Sequence, residues 1–308
     1  MWGMDRLRVG LVGGGPWART VHGPGLAAHP GTEVAAVWTR RPEVAAELAV
    51  EYGARAYTDL EVLFDAVDAV AFAVPPTVQG RLALFAAAAG KHLICEKPLA
   101  GTVEEARAVV AAVQRAGVHS TMVLTMRHAP AVRNWLAGMP PGPAGPDTVV
   151  SARWISGSLL GGPYAASAWR AEQGALFDLG PHVIDLLDAA VGPVVAVPWA
   201  RYDEPDLWRF GLLHAGGAQS TVTLSMRVPV DPSDVEFTVV GAAGRHRLAG
   251  RGDDADTCYT ALLDELVAAV DGSGPPPALD VARGLRVQEL VEDVRAATGP
   301  SLPGGHGN

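Results

Sequence analysis

Six residues near the start of the chain restrict its fold more than any others. Gly13-Gly14-Gly15-Pro16-Trp17-Ala18 follows the apolar run at 8–12 and opens a stretch of helical composition at 17–28. Gly13 lets the chain turn tightly, Gly15 leaves the backbone bare, and small Ala18 lets the helix pack close to the strand. The unpaired N–H groups of the helix start then face outward toward an anion. The G-x-G-x-x-[G/A] spacing between a strand and a helix predicts a loop that cradles the pyrophosphate of a dinucleotide.

The residues after the loop supply the context this motif needs. Apolar runs at 34–38, 69–74, 92–95 and 120–124 alternate with helical stretches at 42–52, 78–89 and 102–116. Pro42 falls in a first turn, where proline is tolerated, and Thr102 with Glu105 has the spacing of a capping box. Such alternation predicts a parallel sheet with helices on both faces. The pattern changes near Pro130. Beyond a Gly/Pro-rich connector at 138–146, apolar runs at 149–155, 194–202, 209–214, 219–225, 236–240 and 246–248 succeed one another, with one helix near 181–190. Helices are expected again at 259–270 and 281–297. The expected fold class is α/β: an N-terminal Rossmann-type dinucleotide-binding domain over 1–127, then an α+β domain over 128–308 with a large, mostly antiparallel sheet. The second domain is read as the one that binds substrate and mediates oligomerisation.

Composition narrows the function classes. Of 308 residues 49% are apolar and 19% charged, and the net charge is −9. No basic run exists to hold nucleic acid, and no apolar stretch is long enough for a membrane span. Residues 1–8 enter the first strand without the apolar core of a secretory leader, and Cys95 and Cys258 are too few for a disulfide framework, so a cytoplasmic location is expected. No Cys/His spacing suggests a metal. Only Lys91 and Lys97 are lysines, leaving 22 arginines (24 − 2) among the basic side chains. A chain so biased toward Arg keeps a Lys where a compact ammonium is needed.

The end of the second strand, Trp38-Thr39-Arg40-Arg41, has no carboxylate for an adenosine ribose. Arg40 and Arg41 suit a 2′-phosphate or an adenine face, so NADP is the expected cofactor, with NAD the alternative.

Three further segments carry a family resemblance. Gly90-Lys91-His92-Leu93-Ile94-Cys95-Glu96-Lys97-Pro98-Leu99-Ala100 is the first. Trp169-Arg170 followed by Gly174-Ala175-Leu176-Phe177-Asp178-Leu179-Gly180-Pro181-His182-Val183-Ile184-Asp185 is the second, and 237–244 with 262–272 the third. With the glycine loop, they resemble the glucose–fructose oxidoreductase / inositol dehydrogenase / rhizopine catabolism (Gfo/Idh/MocA) family over nearly the whole chain. The sequence departs from the family where Pro75 is followed by Pro76-Thr77-Val78-Gln79 in place of a frequent Asn and His, and in a short second domain.

The resemblance implies that Gly13, Gly15, Pro16, Trp17, Thr39, Arg40, Arg41, Val74, Pro75, Glu96 and Lys97 bind the cofactor. It implies a cis bond between Lys97 and Pro98, an acid/base role for His182, and a role for Asp178 in holding the reacting hydroxyl. It places Arg127, Tyr164, Trp169 and Arg170 with Asp178 and His182 in the substrate pocket. Lys97, at the carboxyl end of its strand, suits stabilisation of a developing alkoxide, and Glu96 is positioned to orient it. Asp178 and His182, four apart, share a face if the segment is helical. His22 and His119 read as surface or satisfied core residues.

The function expected is NAD(P)-dependent hydride transfer between the nicotinamide and a hydroxyl/ketone of a sugar, cyclitol or related polar molecule. Alternatives on the same fold are an imine or tetrapyrrole reductase and a redox-neutral glycosidase; from another class, a non-catalytic NAD(P)-sensing regulator. A homodimer or homotetramer is expected through the outer face of the second sheet.

Overall fold

The computed structural model describes residues 6–161 and 167–298. The chain forms two compact units. One holds the chain up to His128 together with Asp254–Arg286; the other holds Ala129–Asp253 and the chain from Val287 on.

Among the described residues the first unit contains a six-stranded parallel sheet in the order β3-β2-β1-β4-β5-β6. Its strands are β1 (Leu7–Val12), β2 (Thr32–Trp38), β3 (Arg55–Ala56), β4 (Ala69–Phe72), β5 (His92–Cys95) and β6 (Ser120–Met122). The strand order reverses between β1 and β4, the place where sheets of this kind open a crevice beyond their carboxyl ends. Period-2 alternation divides the side chains between two cores. Leu7, Val9, Leu11, Ala69, Ala71 and Ile94 join α1 (Gly23–Ala28) and α2 (Pro42–Tyr52) on one face. Val70, Phe72, Leu93 and Cys95 join α3 (Leu60–Asp65), α4 (Pro76–Ala88) and α5 (Val103–Ala116) on the other. Burial on both faces explains why these strands read as continuous apolar runs.

Several expected boundaries shift for local reasons. The helix after the glycine loop begins as a π-turn, Ala18–His22, before α1. The run at 120–124 stops pairing at Met122, because Leu124 N–H turns back to the Met122 carbonyl at 2.7 Å. Thr102 caps α5 by accepting from Glu105 N–H at 3.1 Å, while the Glu105 carboxylate accepts from Gly101 N–H. β3, α3 and a 3₁₀ turn at Thr125–His128 were not expected from the sequence. α3 starts on Asp59, whose carboxylate accepts from Glu61 N–H and Val62 N–H.

In the second unit α6 (Pro130–Ala137) precedes β7 (Val149–Ile155), and α7 (Ala168–Asp178) and α8 (Gly180–Val191) follow it. Then come β8 (Val194–Asp203), β9 (Leu207–His214), β10 (Gln219–Ser225), β11 (Asp234–Gly241) and β12 (Gly244–Ala249). The described sheet runs β12-β11-β7-β10-β9-β8 and is antiparallel except where β7 lies parallel to β10. Val150, Ala152, Trp154, Ser220, Val222, Leu224, Val235, Phe237 and Val239 alternate onto its buried face. α7 was not expected: the sequence suggests one helix here, and the structure has two.

The chain passes between the two units more than once, where the sequence suggests a single division at 127/128. After Asp253 the chain returns to the first unit as α9 (Ala255–Val270), and α10 (Val281–Ala296) begins there. The reason is apolar: Tyr259, Leu262, Leu263 and Leu266 of α9 are buried in the same core as Leu26 and Ile94.

Candidate active site

The expected cofactor residues gather at the carboxyl edge of the parallel sheet. Gly13 has φ +124°, and a Cβ there would lie 2.3 Å from the Ala73 carbonyl oxygen, so the turn requires glycine. Its N–H donates to the Trp38 carbonyl at 2.9 Å, tying the loop to the end of β2. At Gly15 a Cβ would meet nothing within 4 Å, which leaves a bare cradle open to solvent. Pro16 and Trp17 lead into the π-turn, where Arg19 N–H donates to the Gly15 carbonyl at 3.2 Å.

At the end of β2 the Thr39 hydroxyl donates to the Arg41 carbonyl at 2.5 Å and lies 3.2 Å from Arg41 N, so it shapes the turn into α2. Arg40 and Arg41 are exposed. Val74 is half-buried and Pro75, the residue before α4, is exposed. A bare glycine cradle, a helix start and two exposed guanidiniums fit a phosphate-bearing dinucleotide.

Glu96 and Lys97 follow β5 directly, and the bond from Lys97 to Pro98 is cis. This segment is held by Gln79, a fully buried residue of α4. Its Nε2 donates to the Glu96 carbonyl at 2.6 Å and to the Leu99 carbonyl at 2.9 Å, and its Oε1 accepts from Glu96 N–H at 2.8 Å. Gln79 stands within the departure from the family noted above, and the sequence assigned it no role. The Glu96 carboxylate accepts from Lys97 N–H at 3.3 Å and pairs through Oε1 with His22 Nε2 at 2.9 Å. Glu96 therefore acts on the Lys97 backbone, and its other oxygen is engaged by a buried histidine. Burial raises the neighbouring Cys95 thiol, keeping it protonated.

In the second unit the structure brings Trp169, Arg170, Asp178 and His182 onto α7 and α8. The two helices meet at Leu179, so Asp178 and His182 are one turn apart across a junction and not on one unbroken helix. Pro181, with no N–H, falls in the first turn of α8, as expected of helix starts. Arg170 Nε donates to Asp178 Oδ2 at 3.1 Å. The His182 ring lies 5.8 Å from that of Trp154 on β7, and both Asp178 and His182 are buried.

A bend inside α7 makes this possible. Gly174 has φ +64°, and its N-terminal half carries Trp169 and Arg170. Asp206, also buried, holds the bend: Oδ1 accepts from Ala175 N–H at 2.9 Å and Oδ2 from Met226 N–H at 3.0 Å. Burial pushes its carboxyl above the usual range, and the Asp178 charge pushes in the same direction. Sequence reading missed Asp206 because its contacts lie far along the chain. Arg127 belongs to the first unit, half-buried on the 3₁₀ turn, and Tyr164 lies outside the described residues. No group of three or more His, Cys, Asp or Glu among the described residues is placed to hold a metal ion.

Residues 7–124 match the family model described as an oxidoreductase family with an NAD-binding Rossmann fold, GFO_IDH_MocA. Levoglucosan dehydrogenase of Pseudarthrobacter phenanthrenivorans is 32% identical over 274 residues, covering 78% of this chain and 67% of that protein. The chain belongs to the Gfo/Idh/MocA family of oxidoreductases. Another relative, human glucose-fructose oxidoreductase domain-containing protein 2, is 31% identical over 269 residues, covering 80% of this chain and 68% of its own length. Solved members share the fold. The WlbA dehydrogenase of Bordetella pertussis, in complex with NADH and UDP-GlcNAcA, superposes with a TM-score of 0.82 at 24% identity, covering 96% of this chain and 99% of its own. UDP-N-acetylglucosamine 3-dehydrogenase GnnA of Acidithiobacillus ferrooxidans gives 0.77 at 23%, covering 96% and 98%. This chain is thus an NAD-binding oxidoreductase by family, with sugar dehydrogenases among its relatives.

Proposed function

We propose that this family member is an NADP(H)-preferring dehydrogenase acting on a hydroxyl/ketone pair of a sugar, cyclitol or related polar small molecule. The observation that carries the reading is the Glu96-Lys97 segment at the carboxyl end of β5, braced by the buried Gln79 and by the half-buried Glu96 carboxylate. Bracing of this kind suits a group that must meet a reacting oxygen in fixed geometry. When bound, the nicotinamide accepts or returns the hydride. In the oxidative direction His182 takes the hydroxyl proton, and the Lys97 ammonium offsets the charge that develops on oxygen. Asp178, oriented by Arg170, accepts a hydrogen bond from a substrate hydroxyl, and Trp169 offers an apolar face for a sugar ring.

Arg40 and Arg41, exposed where many dinucleotide folds carry an acid, support NADP over NAD. Cys95 and Cys258 are both unbridged and buried, as a reducing cytoplasm leaves them. Among the described residues no helix is long and apolar enough to cross a membrane. Val195 and Trp199 on β8 are 58% and 43% exposed, which supports assembly into a homodimer or homotetramer through that sheet. Light scattering at micromolar concentration is expected to give a dimer or tetramer mass; a monomer counts against assembly.

The deciding experiment is single-turnover oxidation of bound NADPH against a panel of keto-sugars and cyclitols. Lys97→Met is expected to slow it by roughly a hundredfold or more while leaving cofactor affinity near that of the parent. Normal turnover by Lys97→Met would remove the lysine from the chemistry. A parent that never oxidises NADPH with any member of the panel would favour the regulator.

A further inference from the structure

We propose that Tyr259, His22 and Glu96 form a hydrogen-bonded positioning chain that couples the glycine-loop helix to the presentation of Lys97. The proposal rests on the dehydrogenase reading above, and it assigns His22 and Tyr259 a task beyond filling the core.

The chain is continuous. Tyr259 Oη lies 2.8 Å from His22 Nδ1, and His22 Nε2 lies 2.9 Å from Glu96 Oε1. The other Glu96 oxygen accepts from Lys97 N–H at 3.3 Å. His22 and Tyr259 are both fully buried, with ring centroids 5.1 Å apart and edge-on. Burial and the nearby Glu96 charge hold the Tyr259 phenol well above its ordinary range, so it remains a hydroxyl. With the phenol donating to Nδ1 and Nε2–H donating to the carboxylate, each of these contacts has a donor and an acceptor.

The elements joined are informative. His22 ends the π-turn that begins directly after the loop Gly13–Trp17. A π-turn widens the helix by one residue and often marks a functional position. Glu96 begins the segment that Gln79 clamps through its backbone. Tyr259 comes from α9, the helix that returns to this unit late in the chain. Two other elements are therefore linked in series to the carboxylate beside Lys97, the π-turn directly through His22 and α9 through Tyr259 behind it.

The test uses the full chain with NADPH and an accepted substrate, comparing His22→Leu, His22→Gln and Tyr259→Phe with Lys97→Met. His22→Leu is expected to lower kcat about tenfold or more with the Kd for NADPH unchanged. His22→Gln returns an N–H toward Glu96 and is expected to recover most of that loss. Tyr259→Phe keeps the ring and is expected to fall between. A second measurement does not depend on turnover. With Lys91 and Lys97 the only lysines, limited acylation followed by peptide mass analysis reads the Lys97:Lys91 reactivity ratio, which His22→Leu is expected to change severalfold. Parent kcat and parent ratio in a folded His22→Leu would overturn the proposal, as would His22→Gln behaving like His22→Leu. If the parent never oxidises NADPH, the dehydrogenase reading fails; if Lys97→Met turns over normally, only the lysine leaves the chemistry; in either case the acylation ratio alone decides the positioning chain. If His22→Leu does not fold, Tyr259→Phe decides it.

Discussion

Arg170 Nε donates to Asp178 Oδ2 at 3.1 Å, joining the two ends of α7 across the bend at Gly174. The two side chains are only 23% and 11% exposed, so solvent screens the pair less than a surface ion pair. The guanidinium fixes the direction in which the Asp178 carboxylate presents its remaining lone pairs. Arg170→Leu is expected to lower kcat/KM by up to about a hundredfold through misplacement of Asp178. Arg170→Lys should recover only part, because an ammonium lacks the planar fork. Steady-state kinetics on variants with parent-like circular dichroism checks both. Unchanged kcat/KM in Arg170→Leu would mean that the pair serves the fold alone.

Cofactor choice should reside in the exposed guanidiniums after β2. NADPH is expected to bind at least about tenfold tighter than NADH, a gap of about 1.4 kcal/mol. Arg40→Ala should narrow that gap without weakening NADH. Fluorescence titration with both cofactors measures it, and equal affinities in the parent would refute the assignment.

The bend in α7 predicts an intolerant glycine. A Cβ at position 174 would lie 2.4 Å from Asp206 Oδ1, and the backbone there, at φ +64° and ψ −161°, disfavours any other residue. Gly174→Ala is expected to cost about 2–5 kcal/mol, combining backbone strain with displacement of a buried carboxylate. Denaturant unfolding of parent and variant gives the number. A loss below 1 kcal/mol, about the size of an ordinary surface change, would show that the loop bearing Asp206 can yield.

His214 predicts a pH dependence of stability. Its Nδ1 lies 2.7 Å from the Gly192 carbonyl and its Nε2 2.6 Å from the Ser220 hydroxyl. Burial lowers its pKa below the ordinary 6.5. The unfolded chain therefore takes up this proton at a higher pH than the folded one. The contribution is complete above 6.5 and is lost as pH falls from there through the folded value. His214→Asn should be less stable than the parent at pH 8, and the difference should shrink toward pH 5. Thermal melts across that range test it, and a constant difference would exclude His214 as the titrating group.

The sequence by itself determined whatever has a short period or a local partner. Continuous apolar runs marked the parallel strands, because both faces of that sheet are covered. The glycine loop, the Thr102 cap and proline at the first turn of α2 and α8 involve residues within a few positions of one another, so their chemistry is visible in a string. The Lys97 segment was legible for the same reason, whereas the Asp178–His182 spacing suggested a shared helix face and the structure divides that segment at Leu179. The tertiary structure decided what depends on distant partners. Tyr259 reaches His22 across 237 residues, and Gln79 reaches Glu96 across 17. Asp206 reaches Ala175 across 31, and the parallel pairing of β7 with β10 skips two intervening strands. None of these has a periodicity, since a buried carboxylate or amide is satisfied by whichever donor the packing brings to it. The return of α9 to the first unit is of the same kind: its apolar face required burial, but only the fold selected the core that receives it.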